Sequence, residues 1–283
     1  GDIESAPYLE ALRQFQFRVG RKSVTFVHVS LVPVMGPVGE QKTKPTQHTV
    51  KELMGLGITP DVLVCRSSKP LNDETRQKLS AFCHVRPEAV FSTHDVPNIY
   101  HVPLMLEEQG FCDILDIDCD KTGLLAEWRS MAHRLDELTE EVNIAMVGKY
   151  TDLSDAYLSV IKSLQHAALA VERKLNIDWI EASDLEDANN AEAWGLLRNA
   201  NGVLVPGGFG DRGFEGKVLA AQYARENNVP YLGICLGLQV ATIEFCRNVL
   251  GIEDATSTEF DADAANPAVI FMPEISKTHL GGT

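Results

Sequence analysis

The 283-residue chain has no apolar run of the ~18 residues that a membrane-spanning helix needs, and no charged-then-apolar leader opens it. It has no Cys-x-x-Cys pair and no zinc-type spacing among Cys65, Cys83, Cys112, Cys119, Cys235 and Cys246. Most of these cysteines sit in apolar runs, where thiols are expected, and a reducing, cytoplasmic setting is the simplest that suits them. Basic charge is in deficit: 25 Lys and Arg against 40 Asp and Glu leave −15, the wrong sign for a general nucleic-acid surface. Repeats, low-complexity tracts and heptads are absent. Carboxylates crowd Asp113, Asp116, Asp118 and Asp120, but without the glycine and closing glutamate of a calcium loop. Neither a protein-held metal nor an organic cofactor is expected within these residues.

What is there reads as α/β. The length suits roughly two domains of about 100–200 residues. Short β-branched or apolar runs (23–32, 61–65, 88–92, 143–147, 177–180, 202–205, 229–234, 269–272) alternate with stretches of helical apolar spacing. That alternation predicts mainly parallel sheets covered by helices. A charged amphipathic helix over 123–142 marks the connection, so the expected division is 1–120, a linker at 121–141, and 142–283.

One stretch organises the second half. Val229 to Ile234 is an apolar run of strand length, and a helical pattern starts at Leu236. Gly233-Ile-Cys-Leu-Gly237 between them reads as a nucleophile elbow, its glycines removing Cβ atoms that a sharp turn would force together. Cys235 would then sit beside the free N–H groups of a helix start, where a thiol's pKa falls below about 8.5. A cysteine ending an apolar strand is also commonly plain packing. A second glycine-rich turn, Pro206 to Gly213 after the run 203–205, changes that balance. If the two strands are parallel neighbours, both loops meet over one crevice, and the N–H groups of Gly208 and Leu236 could form an oxyanion hole.

In the first half, Lys42-Thr43-Lys44-Pro45-Thr46-Gln47 leads into a helix. Two ammonium groups, two hydroxyls and unpaired backbone donors at a helix start suit a polyphosphate, although such a loop by itself is as readily a solvated basic turn.

Taken together, Pro206–Gly210 with Gly233–Gln239 resembles the class I glutamine amidotransferases. Val147–Tyr157, Ser257–Phe260 and Gly39–Gln47 narrow that resemblance to the CTP synthase family. The resemblance implies a dethiobiotin-synthetase-like (P-loop class) amidoligase part followed by a flavodoxin-like glutaminase part, both three-layer α/β folds. It implies ATP-dependent amination of UTP to CTP with ammonia from L-glutamine, Cys235 being the nucleophile. Gly208, Leu236, Gly237, Leu238, Gln239 and Glu259 would contact glutamine or its oxyanion. UTP or the inhibitor CTP would meet Asp2, Ile3, Glu4, Lys42 to Gln47 and Lys78; ATP, arriving with Mg2+, would meet His94, Asp95 and Val96; the activator GTP would lie near Arg212. A homo-tetramer that can stack into filaments is implied too. The family's P-loop with its magnesium carboxylates, and its His-Pro-Glu, have no counterpart here, so this stretch is expected to be a central portion, incomplete for catalysis. Two other readings stay open: a non-catalytic assembly module, and a cysteine-elbow hydrolase or chaperone of the same fold.

Overall fold

The computed structural model describes residues 3–118, 123–149, 154–208, 210 and 212–271. The chain divides into two units, Gly1–Glu137 and Leu138–Thr283. The first contains α1 (Ala6–Val19), β1 (Val27–Leu31), β2 (Val34–Met35), β3 (Glu40–Gln41), α2 (Lys44–Gly55), β4 (Val62–Ser67), α3 (Asp73–Cys83), β5 (Val90–His94), α4 (His101–Glu108), α5 (Phe111–Leu115) and α6 (Leu124–Glu137). The helix expected as a connection, α6, falls inside this unit and packs on α4.

Strands β1, β4 and β5 form a parallel sheet in the order β1-β4-β5, with β2 and β3 a separate antiparallel pair. Register puts Leu63, Cys65 and Val90 on the face that meets Val50 of α2 and Leu79 and Cys83 of α3. The opposite face is covered over β5 by α4 and α5, where Phe91 meets Phe111 edge-on at 5.1 Å. On β1 that same face is bare: Val27, Val29 and Leu31 are exposed. Helix α1 buries none of its residues and shows Tyr8, Leu12 and Phe15 to solvent.

The second unit runs β6 (Glu141–Gly148), α7 (Leu158–Ala170), β7 (Lys174–Glu181), α8 (Ala191–Asn199), β8 (Gly202–Val205), α9 (Phe214–Glu226), β9 (Tyr231–Gly233), α10 (Leu236–Asn248), β10 (Thr256–Ser257) and β11 (Pro267–Val269). Its four-stranded sheet is wholly parallel, ordered β7-β6-β8-β9, the 2-1-3-4 sequence of a flavodoxin-like doubly wound sheet. Ala145, Val147, Ile180, Val203 and Val205 face α8 and α9; α7 lies on the other side, with Tyr157 beside Trp179. Helices α9 and α10 are joined through Arg225, whose guanidinium grips the buried Glu244 at 2.7 to 3.1 Å. Both units are thus three-layer α/β with mainly parallel sheets. The strand expected at 269–272 is found at Pro267–Val269, and Met272 lies outside the described residues. Cys65 and Cys83 are buried thiols and Cys246 a half-buried one, Cys235 is an exposed thiol, and Cys112 is disulfide-bonded, an exception to the thiols expected of most of the cysteines. Among the described residues no helix is long and apolar enough to cross a membrane.

Candidate active site

Strand β9 ends at Gly233 and α10 begins at Leu236, so the chain must turn within two residues. Cys235 makes the turn at φ 54° and ψ −109°. A non-glycine residue so placed costs about 1–3 kcal/mol and persists only where its surroundings dictate it. Two glycines provide that dictation. A Cβ on Gly233 would stand 2.4 Å from the carbonyl of Gly237, and one on Gly237 would stand 2.0 Å from the carbonyl oxygen of Val205. The first turn of α10 therefore rests directly on the backbone of β8 and β9. The Tyr231 hydroxyl donates to Gly237 O at 2.8 Å, and burial pushes its pKa upward, keeping it a donor.

This bend leaves the Cys235 thiol exposed. The parallel pairing of β8 with β9 continues as Ile234 N donates to Val205 O at 2.9 Å, which brings Pro206–Gly208 alongside. The Cβ position of Gly207 lies 3.3 Å from Cys235 Cβ and 3.9 Å from its Sγ, while that of Gly208 faces open space. Leu236 and Gly237 are buried; Leu238 is exposed. One turn along α10, Gln239 has its Oε1 sealed from solvent with no donor to meet it. A buried acceptor left unpaired costs about 1–3 kcal/mol, so it is a natural landing point for a ligand N–H. Glu259 is half-buried, its N–H donating to Ser257 Oγ at 3.2 Å. The next residue, Phe260, packs on Phe214 at 4.6 Å and on the cluster of Leu236 and Val240, which carries Glu259 to the side of α10.

The far end of the glycine loop is pinned. Lys149 Nζ donates to Gly210 O at 3.2 Å, and the exposed Arg212 pairs with Glu181 at 3.3 Å. A Cβ on Gly216 would fall 1.7 Å from Ala182 O, so α9 starts in backbone contact with the segment after β7. Lys217, only 1% exposed, lies in the same place. Burial first, and Lys149 second, push its ammonium down to about 8, against the pull of Glu181. Lys217 is not among the expected site residues; its one signal is a lysine set directly before the apolar run Val218 to Ala221, most of which is buried.

In the first unit, β1, β4 and β5 end together, so the loops that follow share the carboxyl edge of the sheet. Gln41 ties two of them, donating to Pro70 O at 2.7 Å and accepting from Asn72 N at 3.1 Å. Thr46 is fully buried against Ser30 Oγ (2.9 Å) and Leu31 O (3.2 Å), and Thr43 Oγ1 accepts from Gln47 Nε2 at 3.0 Å. These hydroxyls already have partners within the fold. Lys42 pairs with Glu40 at 2.6 Å, and Lys78 adds its charge toward the same carboxylate. Lys44 and Pro45 are exposed at the start of α2. At the ends of β4 and β5, Ser67 Oγ, Thr93 Oγ1 and His94 Nδ1 are buried without partners. Thr93 and His94 line a groove of about 520 Å³ together with Arg66, Asp95, Val96 and the bare valines of β1, whereas Ser67 is turned to the other face of the sheet. Ile3 and Glu4 are exposed on the turn before α1, while Asp2 lies outside the described residues.

Comparison with known proteins accords with this division. Residues 1–118 match the model of the CTP synthase N-terminus, and residues 152–279 that of class-I glutamine amidotransferases. The whole chain is 54% identical to CTP synthase of Dictyostelium discoideum and 52% identical to human CTP synthase 1, covering 54% and 50% of their lengths. It thus spans about half the length of the curated relatives it matches. Among solved structures, the Trypanosoma brucei CTPS glutaminase domain with bound acivicin aligns with a TM-score of 0.45 at 45% identity, over 48% of this chain and 53% of that one. The chain thus joins a CTP synthase N-terminal domain to a class-I glutamine amidotransferase domain, with 52–54% identity to CTP synthases over the whole of its own length.

Proposed function

We propose that this chain supplies the glutamine-attacking nucleophile and part of the nucleotide site of an enzyme that aminates UTP to CTP. The Cys235 thiolate adds to the side-chain carboxamide carbon of L-glutamine, forming a C–S bond. The C–N bond then breaks, ammonia leaves, and water cleaves the γ-glutamyl thioester to glutamate and free thiolate. The N–H groups of Gly208 and Leu236 serve the oxyanion, Gln239 and Glu259 receive the substrate amine and amide, and Leu238 borders them. The observation that carries this reading is the exposed Cys235 held at positive φ against Gly207.

Ammonia goes to the 4-position of UTP after ATP has activated it. Lys44, Lys42 and Lys78 attract the pyrimidine triphosphate, and His94 to Val96 with the unpaired Thr93 hydroxyl receive ATP. Mg2+ enters as the ion that accompanies ATP. Among the described residues lining the groove, Asp95 is the single carboxylate, beside Arg66 and His94, so this set is no magnesium site by itself. GTP near Arg212, and assembly of four copies over the apolar face of α1, belong to the same reading.

Incubation with a glutamine-analogue electrophile tests it. One adduct on Cys235, slowed by L-glutamine and absent from Cys235→Ser, is expected. An intact protein that stays unlabelled favours the hydrolase or assembly readings instead.

A further inference from the structure

The start of α4 and the last two turns of α6 bring together three groups that the reading above does not use. His101, His133 and Asp136 each offer one ligand atom, and the three atoms lie within 4.8 Å of one another. His133 and Asp136 are three residues apart on α6, so they share a face of that helix. His101 opens α4 and reaches across, its Nε2 2.6 Å from Asp136 Oδ2. The two imidazoles meet edge-on, 5.1 Å between ring centres.

The frame around them is stiff. Asn98 Nδ2 donates to the other carboxylate oxygen, Asp136 Oδ1, at 2.6 Å, and also to Ala132 O at 3.1 Å. Trp128 Nε1 donates to Tyr100 O at 2.7 Å, and the Trp128 ring lies against that of Tyr100. Arg129 reaches back to Glu107 and Glu108. A carboxylate with one oxygen fixed by an amide and the other turned toward an imidazole is oriented as metal-bound carboxylates are. A helix–helix tie needs only the His101–Asp136 bond. The second imidazole, on the same face and without a bond of its own to that pair, is what the tie leaves unexplained.

We propose that His101, His133 and Asp136 form a site for a divalent transition ion of the zinc class, which clips α4 to α6. Imidazole nitrogen and carboxylate oxygen are zinc donors, reaching the ion at about 2.0–2.2 Å, and tetrahedral coordination sets such ligands about 3.3 Å apart. Side-chain rotation closes the 4.8 Å spread to that value. The ion displaces the proton now shared between His101 and Asp136, so one proton is released when the imidazolium form binds, and water takes the fourth position. The sequence shows the pattern as His133-x-x-Asp136, with His101 distant and joined only by the fold. The site does not depend on the glutaminase or nucleotide assignments.

Zn2+ titrated into the full chain carrying Cys235→Ser, which removes the exposed sulfur as a competing ligand, tests the proposal by calorimetry and by thermal unfolding. Co2+ absorption reports the coordination. Saturable 1:1 binding, a raised unfolding temperature and a tetrahedral Co2+ spectrum are expected. All three should vanish in His133→Ala, which leaves the His101–Asp136 bond in place and so preserves the fold, and Asn98→Ala should weaken binding about 10–100-fold. Absence of saturable binding, or equal binding by His133→Ala, overturns the site.

Discussion

The two units build their candidate sites in opposite ways. In the second, the site is made by backbone: Cys235 is forced to φ 54° because Gly233 and Gly237 let α10 touch the carbonyls beneath it. In the first, it is made by side chains arriving from three strand ends, with Ser67, Thr93 and His94 left short of partners and Lys42 already spent on Glu40. The difference follows the chemistry. A nucleophile must stand at one point within a fraction of an ångström, which covalent geometry can enforce. A polyphosphate is held by charge and many donors, and tolerates their rearrangement.

Breaking the backbone-built site should have the largest effect. Gly237→Ala places a methyl 2.0 Å from Val205 O and cannot be relieved by a side-chain rotation. We expect a loss of about 1–3 kcal/mol or more in chemical denaturation, and no adduct at Cys235. Gly208→Ala, with nothing within 4 Å of its Cβ, should keep the wild-type denaturation midpoint. Similar behaviour of the two variants would show that backbone contact beneath α10 does not build the second unit's site.

Next comes the frame under the phosphate loop. Thr46→Val keeps the shape of a fully buried residue but takes a hydroxyl partner from both Ser30 Oγ and Leu31 O, at a cost of about 1–3 kcal/mol in denaturation. An unchanged midpoint would show that this hydroxyl pair contributes nothing to holding the loop.

Lys44→Ala should weaken binding of a pyrimidine triphosphate about tenfold, near 1.4 kcal/mol, in calorimetry at low salt. Lys42→Ala should do less, because Glu40 already takes up part of that charge. Both effects should shrink as ionic strength rises. Equal losses would show that the Glu40 pair opens when nucleotide binds.

The last prediction concerns Lys217 and is read as a slope of stability against pH. Its folded pKa of about 8 lies below the ordinary 10.5, so the folded state holds the proton less tightly than the unfolded chain. The penalty is full below pH 8, fades as pH rises toward 10.5, and stability therefore increases through that window. Lys217→Met should raise the midpoint at pH 7 and flatten the rise between pH 8 and 10. A parallel pH dependence in the two proteins would mean that the ammonium is solvated.

The elbow was legible in sequence because a tight bend admits few residues: Gly-x-Cys-x-Gly after an apolar strand has one geometry, and the fold adopted it. Helix boundaries were readable for a similar local reason. Asp73–Cys83 begins where Asn72 caps it, the Asn72 side chain accepting from Thr75 N at 2.7 Å. Less legible was the state of the threonines at 43 and 46. Their type suits phosphate, yet Ser30, sixteen residues before Thr46, claims one hydroxyl. Lys217 and the His101, His133 and Asp136 group were invisible for the same cause, since burial and convergence depend on residues far away in the chain.

By itself, the order of residues determined the alternation of strand and helix, the sharp bend at Cys235 and the family resemblance, because propensity, glycine spacing and short motifs act over a few neighbours. Tertiary structure alone decided which polar groups are spent and which are left unpaired: Glu40 on Lys42, Asn98 on Asp136, Gln239 on nothing. Hydrogen bonds and ion pairs form between whatever surfaces packing brings within about 3 Å, and that distance is fixed only when the sheets and helices have come together.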